Sequence, residues 1–356
     1  MPEKKARFAF IGAGWWATAN HLPVFAARED AELAAVCRLG TDELEKVQER
    51  FEIPYGTEDY LQLLDEVELD GVVIATPHTK HFAPAKAALE RGLHVMCEKP
   101  MCTNANDARE LVRIADENDV QLLVPLGWNY KPFVKEARKR LADGILGDIQ
   151  FVLCHMASPI RDLLMGEPFS TDDVGGQAGD TLFSPAAETW ADPTVAGGGY
   201  GHAQISHSTG MLCNLTSLRA EEVYARMSAP GSKVELYDAI TVTFESGAIG
   251  NVSGAGTVPE DQRFHVDLRI WGSDGMLLLD CERTRLEIYR HDGKHEVSEL
   301  PLEQGDYACD GPPNNFIDLV TGKDDINLSP GEASMRSVEI LDAAYRSAES
   351  GKPEQV

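Results

Sequence analysis

The chain has 356 residues, which at roughly 100–200 residues per domain predicts two domains and a sizeable core. Lys and Arg number 32 against 58 Asp and Glu, and the resulting net charge of −26 repels nucleic-acid phosphates and anionic lipid headgroups. Hydrophobic residues make up 43%, an ordinary globular share. No apolar run approaches the ~18 residues of a membrane helix, and the opening Met1-Pro-Glu-Lys-Lys-Ala-Arg7 runs straight into a strand-like segment. These features predict neither a secretory signal nor a membrane span, and neither nucleic acid nor membrane as partner. Seven scattered cysteines, an odd number, make no disulfide framework and point to a reducing cytoplasm. No cysteine pair is spaced with histidines as in a zinc site, so no structural metal is expected.

The first elements alternate. Phe8–Ile11 is a short apolar run, followed by Leu33–Val36, Val72–Ala75, Val95-Met96 and Leu122–Val124. Between the last two, Ala108, Leu111, Val112 and Ala115 follow the i, i+3, i+4, i+7 spacing of an amphipathic helix. Continuous apolar strands separated by such helices predict a doubly wound parallel sheet, a Rossmann-type α/β domain over residues 1–125. From 126 to 356 the pattern changes. A helix is predicted near Phe133–Asp143. Strands follow near Ile149–His155, Glu222–Met227, Ala239–Phe244, Ile249–Gly254, Phe264–Trp271, Met276–Leu279 and Leu286–Tyr289. Turn signals such as Glu245-Ser-Gly247 and Gly272-Ser-Asp-Gly275 join several of them, which predicts an α+β domain with a large, mostly antiparallel sheet. An amphipathic helix near Ser334–Ala348 closes the chain. The stretch Ser158–Ala196 is polar, punctuated by Gly and Pro and studded with Phe169, Phe183 and Trp190; its length predicts a loop that covers substrate.

Gly12-Ala-Gly-Trp-Trp-Ala17 fits the G-x-G-x-x-G/A dinucleotide fingerprint in the context that gives it meaning, after a strand and opening a helix. Gly12 permits the tight turn, Gly14 lets main chain approach a diphosphate, small Ala17 lets helix and strand pack, and Trp15 and Trp16 lie on the same turn. At the end of the second strand an acid would hold the ribose 2′-hydroxyl of NAD, whereas an arginine suits the 2′-phosphate of NADP. Val36-Cys-Arg38 places Arg38 there, which favours NADP; the alternative is that Asp42 replaces the missing acid and the cofactor is NAD. Glu98-Lys-Pro100 follows the Val95-Met96 strand at the edge where such sheets bind ligands, making Lys99 a candidate for moving a hydroxyl proton. His78 and His81 are three apart but have no third ligand near them in sequence, which again argues against a metal.

Together, the glycine turn, Ala75-Thr76-Pro77 followed by His81, Glu98-Lys99-Pro100 and the Gly197-Gly-Gly199…His207 segment resemble the Gfo/Idh/MocA family of oxidoreductases along essentially the whole chain. The resemblance implies hydride transfer between a nicotinamide and a carbinol carbon of a sugar, inositol or related polyol. It implies a commonly cis Pro100 that would aim Lys99 into the cleft, and an open sheet that makes a homodimer or homotetramer. Cofactor contacts are carried over to Thr76, Pro77, His81, Glu98 and Lys99, and substrate contacts to Lys99, Trp128, Asn129, Tyr200, Gln204 and His207. Family members commonly carry an aspartate four residues before the histidine that His207 matches; Ala203 stands there, followed by Gln204, so the usual proton relay cannot be transferred whole. The expectation is that Lys99 and His207 share the acid–base work, His207 with a near-neutral pKa, and that Gln204 bonds substrate or water. With few cations mapped to the cleft, a neutral sugar is expected. Two other readings stay open: a glycoside-modifying enzyme that oxidises transiently on a retained NAD, and a cofactor-binding regulatory protein without turnover.

Overall fold

The computed structural model describes residues 5–169 and 181–356. Its first sheet has six parallel strands, β1 Ala6–Ile11, β2 Ala31–Cys37, β3 Tyr55–Thr57, β4 Gly71–Ile74, β5 His94–Cys97 and β6 Leu122–Leu123, in the order β3-β2-β1-β4-β5-β6. Phe8, Ala9 and Phe10 of β1 and Val72, Val73 and Ile74 of β4 are fully buried because helices cover both faces, which is why these strands read as unbroken apolar runs. The strand order reverses between β1 and β4, and ligands of such sheets bind in the crevice at that switch point. The two loops that frame the crevice are the glycine turn after β1 and residues 75–81 after β4.

The second sheet has nine strands: β7 Ile149–Ala157, β8 Ala220–Ser228, β9 Tyr237–Phe244, β10 Ile249–Ala255, β11 His265–Gly272, β12 Gly275–Asp280, β13 Arg285–Arg290, β14 His295–Glu299 and β15 Glu354–Gln355. They are ordered β14-β13-β12-β11-β7-β10-β9-β8-β15, all antiparallel except the β7–β10 pair. Alternation is clean: on β11, Val266, Leu268 and Ile270 point into the core, while His265, Asp267, Arg269 and Trp271 face outward. Helices Ser206–Thr216 and Gly331–Ser350 pack against the inner face.

Three features depart from the sequence reading. The boundary at 125/126 does not separate the cores, because helix Gly311–Thr321 returns to the first domain and buries Phe316 and Ile317 among Phe8, Phe10 and Phe25. Strand β14 is exposed along its whole length and carries no apolar alternation. The stretch 158–196 holds short helices at Arg161–Met165, Ala187–Ala191 and Pro193–Ala196 rather than loop alone. Residues 170–180 of that stretch, and the opening Met1–Lys4, lie outside the described residues.

Candidate active site

A cavity of about 1770 Å³ runs from the glycine turn across the ends of β2 and β4 to the second sheet. At one end, Gly12 has φ +87°, and a Cβ there would stand 2.5 Å from Ala75 O, so no other residue could let β1 and β4 approach this closely. A Cβ on Gly14 would meet nothing within 4 Å, so its main chain faces open cavity. That is the shape a dinucleotide diphosphate requires, and the residues fit it. The helix that follows begins with a π turn, Ala17–His21, before its regular part Leu22–Ala27. Leu22 N reaches back to Ala17 O, and Pro23, which has no N–H, cannot supply the next regular helical bond. Ala17 itself is buried in the core beneath the turn.

Arg38 lines the cavity at the end of β2. Its Nη1 donates to Ala13 O at 2.6 Å, its guanidinium lies 4.0 Å from the centre of the Phe183 ring, and Nε is buried without a partner among the described residues. Asp42 is exposed and does not line the cavity. An acid near the end of β2 that does line it is Glu58, just beyond β3, whose Oε1 accepts from Gly40 N and Thr41 Oγ1, each at 3.2 Å.

Across the crevice the π turn delivers His21 to Glu98. His21 Nε2 lies 2.6 Å from Glu98 Oε1, Trp16 Nε1 donates to the same oxygen at 2.9 Å, and Lys99 N donates to Oε2 at 3.0 Å. Burial pushes the Glu98 carboxyl up, but His21 and Lys99 outweigh it and hold it below the usual carboxylate range. The Lys99–Pro100 bond is cis. Lys99 Nζ, buried in the cavity wall, donates to Ala203 O at 2.7 Å and lies 5.7 Å from the Trp190 ring centre. Thus the residue standing where the resemblance places an aspartate offers its main-chain carbonyl instead. Burial lowers the Lys99 pKa to about 8, with the Glu98 charge opposing.

His207 also lines the cavity, edge-on to Trp128 at 5.6 Å and to Tyr307 at 5.1 Å between ring centres. Burial and the Lys99 charge push its pKa well below the ordinary value, so it stays neutral; the expected near-neutral titration is corrected by a desolvation that the sequence does not display. Its Nδ1 is buried without a partner among the described residues. Gln204 and Trp128 line the same end, as do Phe264, Tyr307 and Trp190.

Two expected substrate contacts lie elsewhere. Tyr200 is 0% exposed, and its hydroxyl is 3.0 Å from Ser158 Oγ within the second domain's core. Asn129 is 3% exposed and donates to Ser329 Oγ at 3.1 Å. Neither lines the cavity: the Tyr200 hydroxyl and the Asn129 amide NH₂ find partners inside the protein, while Asn129 Oδ1 is buried without one among the described residues. Thr76, Pro77 and His81 do line it, and His81 is fixed between Pro100 O (2.8 Å) and Thr76 O (2.7 Å). His78 meets Ala196 O at 3.0 Å, so neither histidine of that pair is turned toward the other as a ligand. The sequence reading missed His21, Phe264 and Tyr307. His21 had one weak signal, its place four residues beyond the fingerprint alanine; the two aromatics had none.

A glycine cradle at a parallel-sheet switch point, opening onto a buried lysine of lowered pKa, defines an oxidoreductase of the nicotinamide-dinucleotide type. The comparisons agree. The model of the oxidoreductase family with NAD-binding Rossmann fold matches residues 6–126, and that of the GFO/IDH/MocA C-terminal domain matches residues 134–278. The chain belongs to the Gfo/Idh/MocA family. It is 25% identical to D-apiose dehydrogenase of Paraburkholderia graminis over 98% of this chain and 89% of that one. Its match to D-xylose 1-dehydrogenase [NADP(+)] of Haloarcula marismortui, at 28% identity, spans 46% of each chain, under half the length of that relative. Levoglucosan dehydrogenase in complex with NADH has the same fold, with a TM-score of 0.76, 18% identity and 99% of both chains covered.

Proposed function

We propose that this oxidoreductase transfers a hydride between a nicotinamide dinucleotide and a carbinol carbon of a neutral sugar, inositol or related polyol. The observation that carries the reading is the single cavity that joins the Gly12–Gly14 cradle to Lys99, Gln204 and His207. A nicotinamide bound there supplies the hydride acceptor or donor at its C4. Lys99 takes the hydroxyl proton in oxidation, and a pKa of about 8 suits it to give and take that proton near neutral pH. Neutral His207 hydrogen-bonds the same hydroxyl or its neighbour, and Gln204 orients a second. The ring faces of Trp128, Trp190, Phe264 and Tyr307 pack on sugar C–H groups. Among the described cations at this end, Arg263 is paired with Asp306 and Lys99 with Ala203 O, leaving little to hold an anionic substrate. Relatives named for xylose and apiose fit that neutrality.

Arg38, which lines the cavity at the end of β2, supports NADP, while Glu58 is the acid that would serve NAD. Fluorescence titration is expected to show tighter binding of NADPH than of NADH. Arg38→Asp should erase the preference by roughly 10–100-fold, the value of a charge-assisted contact. A wild type that prefers NADH sinks the NADP reading. Accumulation of NAD(P)H at 340 nm with a panel of neutral sugars and polyols tests the function itself.

A second reading, transient oxidation on a retained cofactor, has one observation in its favour. Residues 181–196 strap the cavity: Phe183 covers Arg38, Trp190 approaches Lys99, and Thr79 Oγ1 donates to Val195 O at 3.0 Å. Nucleotide that co-purifies, with no net NAD(P)H formed while product appears, would select this reading.

The outward face of the second sheet carries Phe151 and Trp271, 5.3 Å apart between ring centres, with Met276, Leu278 and the half-exposed Ile249. An apolar face of this kind supports pairing with a second copy, as a homodimer or homotetramer. Sedimentation of the purified chain as a monomer at micromolar concentration would refute it. The buried thiols of Cys37, Cys97, Cys102, Cys154, Cys213 and Cys281, none of them in a disulfide, support a cytoplasmic location.

A further inference from the structure

Behind the cavity wall lies a buried acid pair that the proposed chemistry does not use. Glu235 is 8% exposed and Asp238 is 4% exposed. Both carboxylate oxygens of Glu235 accept from Gly199 N at 2.8 Å, and Oε1 also accepts from Gly201 N at 3.0 Å and from the Tyr345 hydroxyl at 2.5 Å. Tyr200 N donates to Glu235 O at 3.0 Å. Contact is close enough to explain the glycines. A Cβ on Gly198 would stand 2.3 Å from Tyr345 Oη, one on Gly199 2.2 Å from Glu235 O, and one on Gly201 2.7 Å from Tyr345 Oη. Asp238 has neither carboxylate oxygen partnered among the described residues; burial and the Glu235 charge push its pKa well up, and burial raises Glu235 too, against the hydrogen bonds from Tyr345, Gly201 and Gly199 that favour its charged form.

The segment so clamped becomes a π turn, Gly201–Ile205, in which Ser206 N reaches Gly201 O. This turn carries Ala203 O, the acceptor of Lys99 Nζ, and Gln204, and the helix it opens carries His207. Hydrogen bonds from the main-chain N–H groups of Gly199 and Gly201 to the Glu235 carboxyl group therefore hold one end of the turn whose carbonyl meets the lysine at the other.

We infer that Glu235 is a positioning residue for Lys99: by holding Gly199 and Gly201 it keeps Ala203 O facing the ammonium, and so sets the lysine's proton affinity from outside the cavity. The inference rests on Lys99 being the proton-transferring group. Removing the clamp in an otherwise dry site takes an acceptor from the ammonium and lowers its pKa. Mere loosening of the fold would instead hydrate Lys99 and raise its pKa toward the ordinary lysine value, so the two causes have opposite signs. His78, His207 and Glu98 face Lys99 in either case and are unchanged by the substitutions below.

The test reads Lys99 directly. Trace acetylation across a pH series, with Lys99 followed by peptide mass spectrometry and exposed Lys294 as internal reference, gives the midpoint of its deprotonation without any turnover. In Glu235→Gln the amide NH₂ meets the Gly199 N–H donor, and the Lys99 midpoint is expected to fall by about one pH unit. Tyr345→Phe, which removes one donor to Glu235 and leaves the rest, should move it the same way by less. Circular dichroism melts establish that each variant is folded; if Glu235→Gln is not, Tyr345→Phe decides. A midpoint that stays at the wild-type value, or rises, overturns the inference. Failure of the functional reading would appear separately, as wild-type protein that transfers no hydride while the Lys99 midpoint still moves.

Discussion

Lys99→Met is expected to lower kcat for sugar oxidation by roughly 10²–10⁴-fold, the usual value of a positioned acid–base group. Methionine keeps the length and most of the volume of the side chain, so the wall beside Trp190 and Ala203 stays filled. What disappears is a buried amine in the cavity wall whose pKa, about 8, lies near the working pH. Glu98 cannot replace it, because His21, Trp16 and the Lys99 N–H engage its two oxygens. Nor can His207, which burial keeps neutral and far from its titration range. Dinucleotide affinity should change by less than about threefold, since the cradle at Gly12 and Gly14 and the contact at Arg38 are untouched. In the wild type, kcat/KM for oxidation should rise with pH through the Lys99 midpoint, because the base form is the one that accepts the proton. In the variant that ascending limb should vanish. A variant that retains wild-type kcat would remove Lys99 from the chemistry. A ligand-dependent function that survives it unchanged would favour the regulatory reading, in which the cavity binds cofactor without turnover.

The parallel sheet could be read from the sequence because burial on both faces leaves its strands uninterrupted by polar residues: Val72-Val-Ile74 admits no other reading. The second sheet was readable for the opposite reason, its alternation on β9 through β13 reporting one buried face. Where burial is absent the signal is absent too, and His295–Glu299 passed unnoticed. In the site, residue types in family order located Lys99, His207 and the glycine cradle. Their protonation states were not readable, since desolvation depends on what the fold packs around a side chain. Asn129 and Tyr200 show the complementary failure: a polar group buried against its own protein and one aimed at a ligand look alike in a string of letters. The two π turns, Ala17–His21 and Gly201–Ile205, were equally hidden, because a helix with one extra residue in a turn breaks the 3.6 period locally. The second lines the cavity through Gln204, and the first directly follows Trp15 and Trp16, which line it. One brings His21 to Glu98 and the other brings a main-chain carbonyl to Lys99, so the features that complete the site are those furthest from any motif.

The return of helix Gly311–Thr321 to the first domain leads to the largest expected effect on stability. Phe316 is 0% exposed, with its ring centre 5.8 Å from that of Phe8 and 6.5 Å from that of Phe25. Gly71 at the start of β4 is a glycine because a Cβ there would meet Phe8 at 2.9 Å and Phe316 at 3.2 Å. The rings are therefore packed against the sheet itself, with no slack into which the neighbours could collapse. Phe316→Ala should destabilise the first domain by about 3–5 kcal/mol, the sum of lost transfer energy and residual cavity. The ion pairs at the edge of the same helix provide the contrast. Arg28 meets Asp318 at 2.5 Å and Lys323 meets Asp30 at 2.8 Å, but all four side chains keep contact with water. Asp318→Ala should therefore cost about 1 kcal/mol or less. Urea unfolding followed by far-UV circular dichroism and by a cofactor-displacement signal compares the two. If Phe316→Ala costs no more than Asp318→Ala, the helix only rests on the first domain. If it shifts the cofactor-linked transition by the expected amount, a segment more than three hundred residues along the chain forms part of the core that supports the glycine cradle.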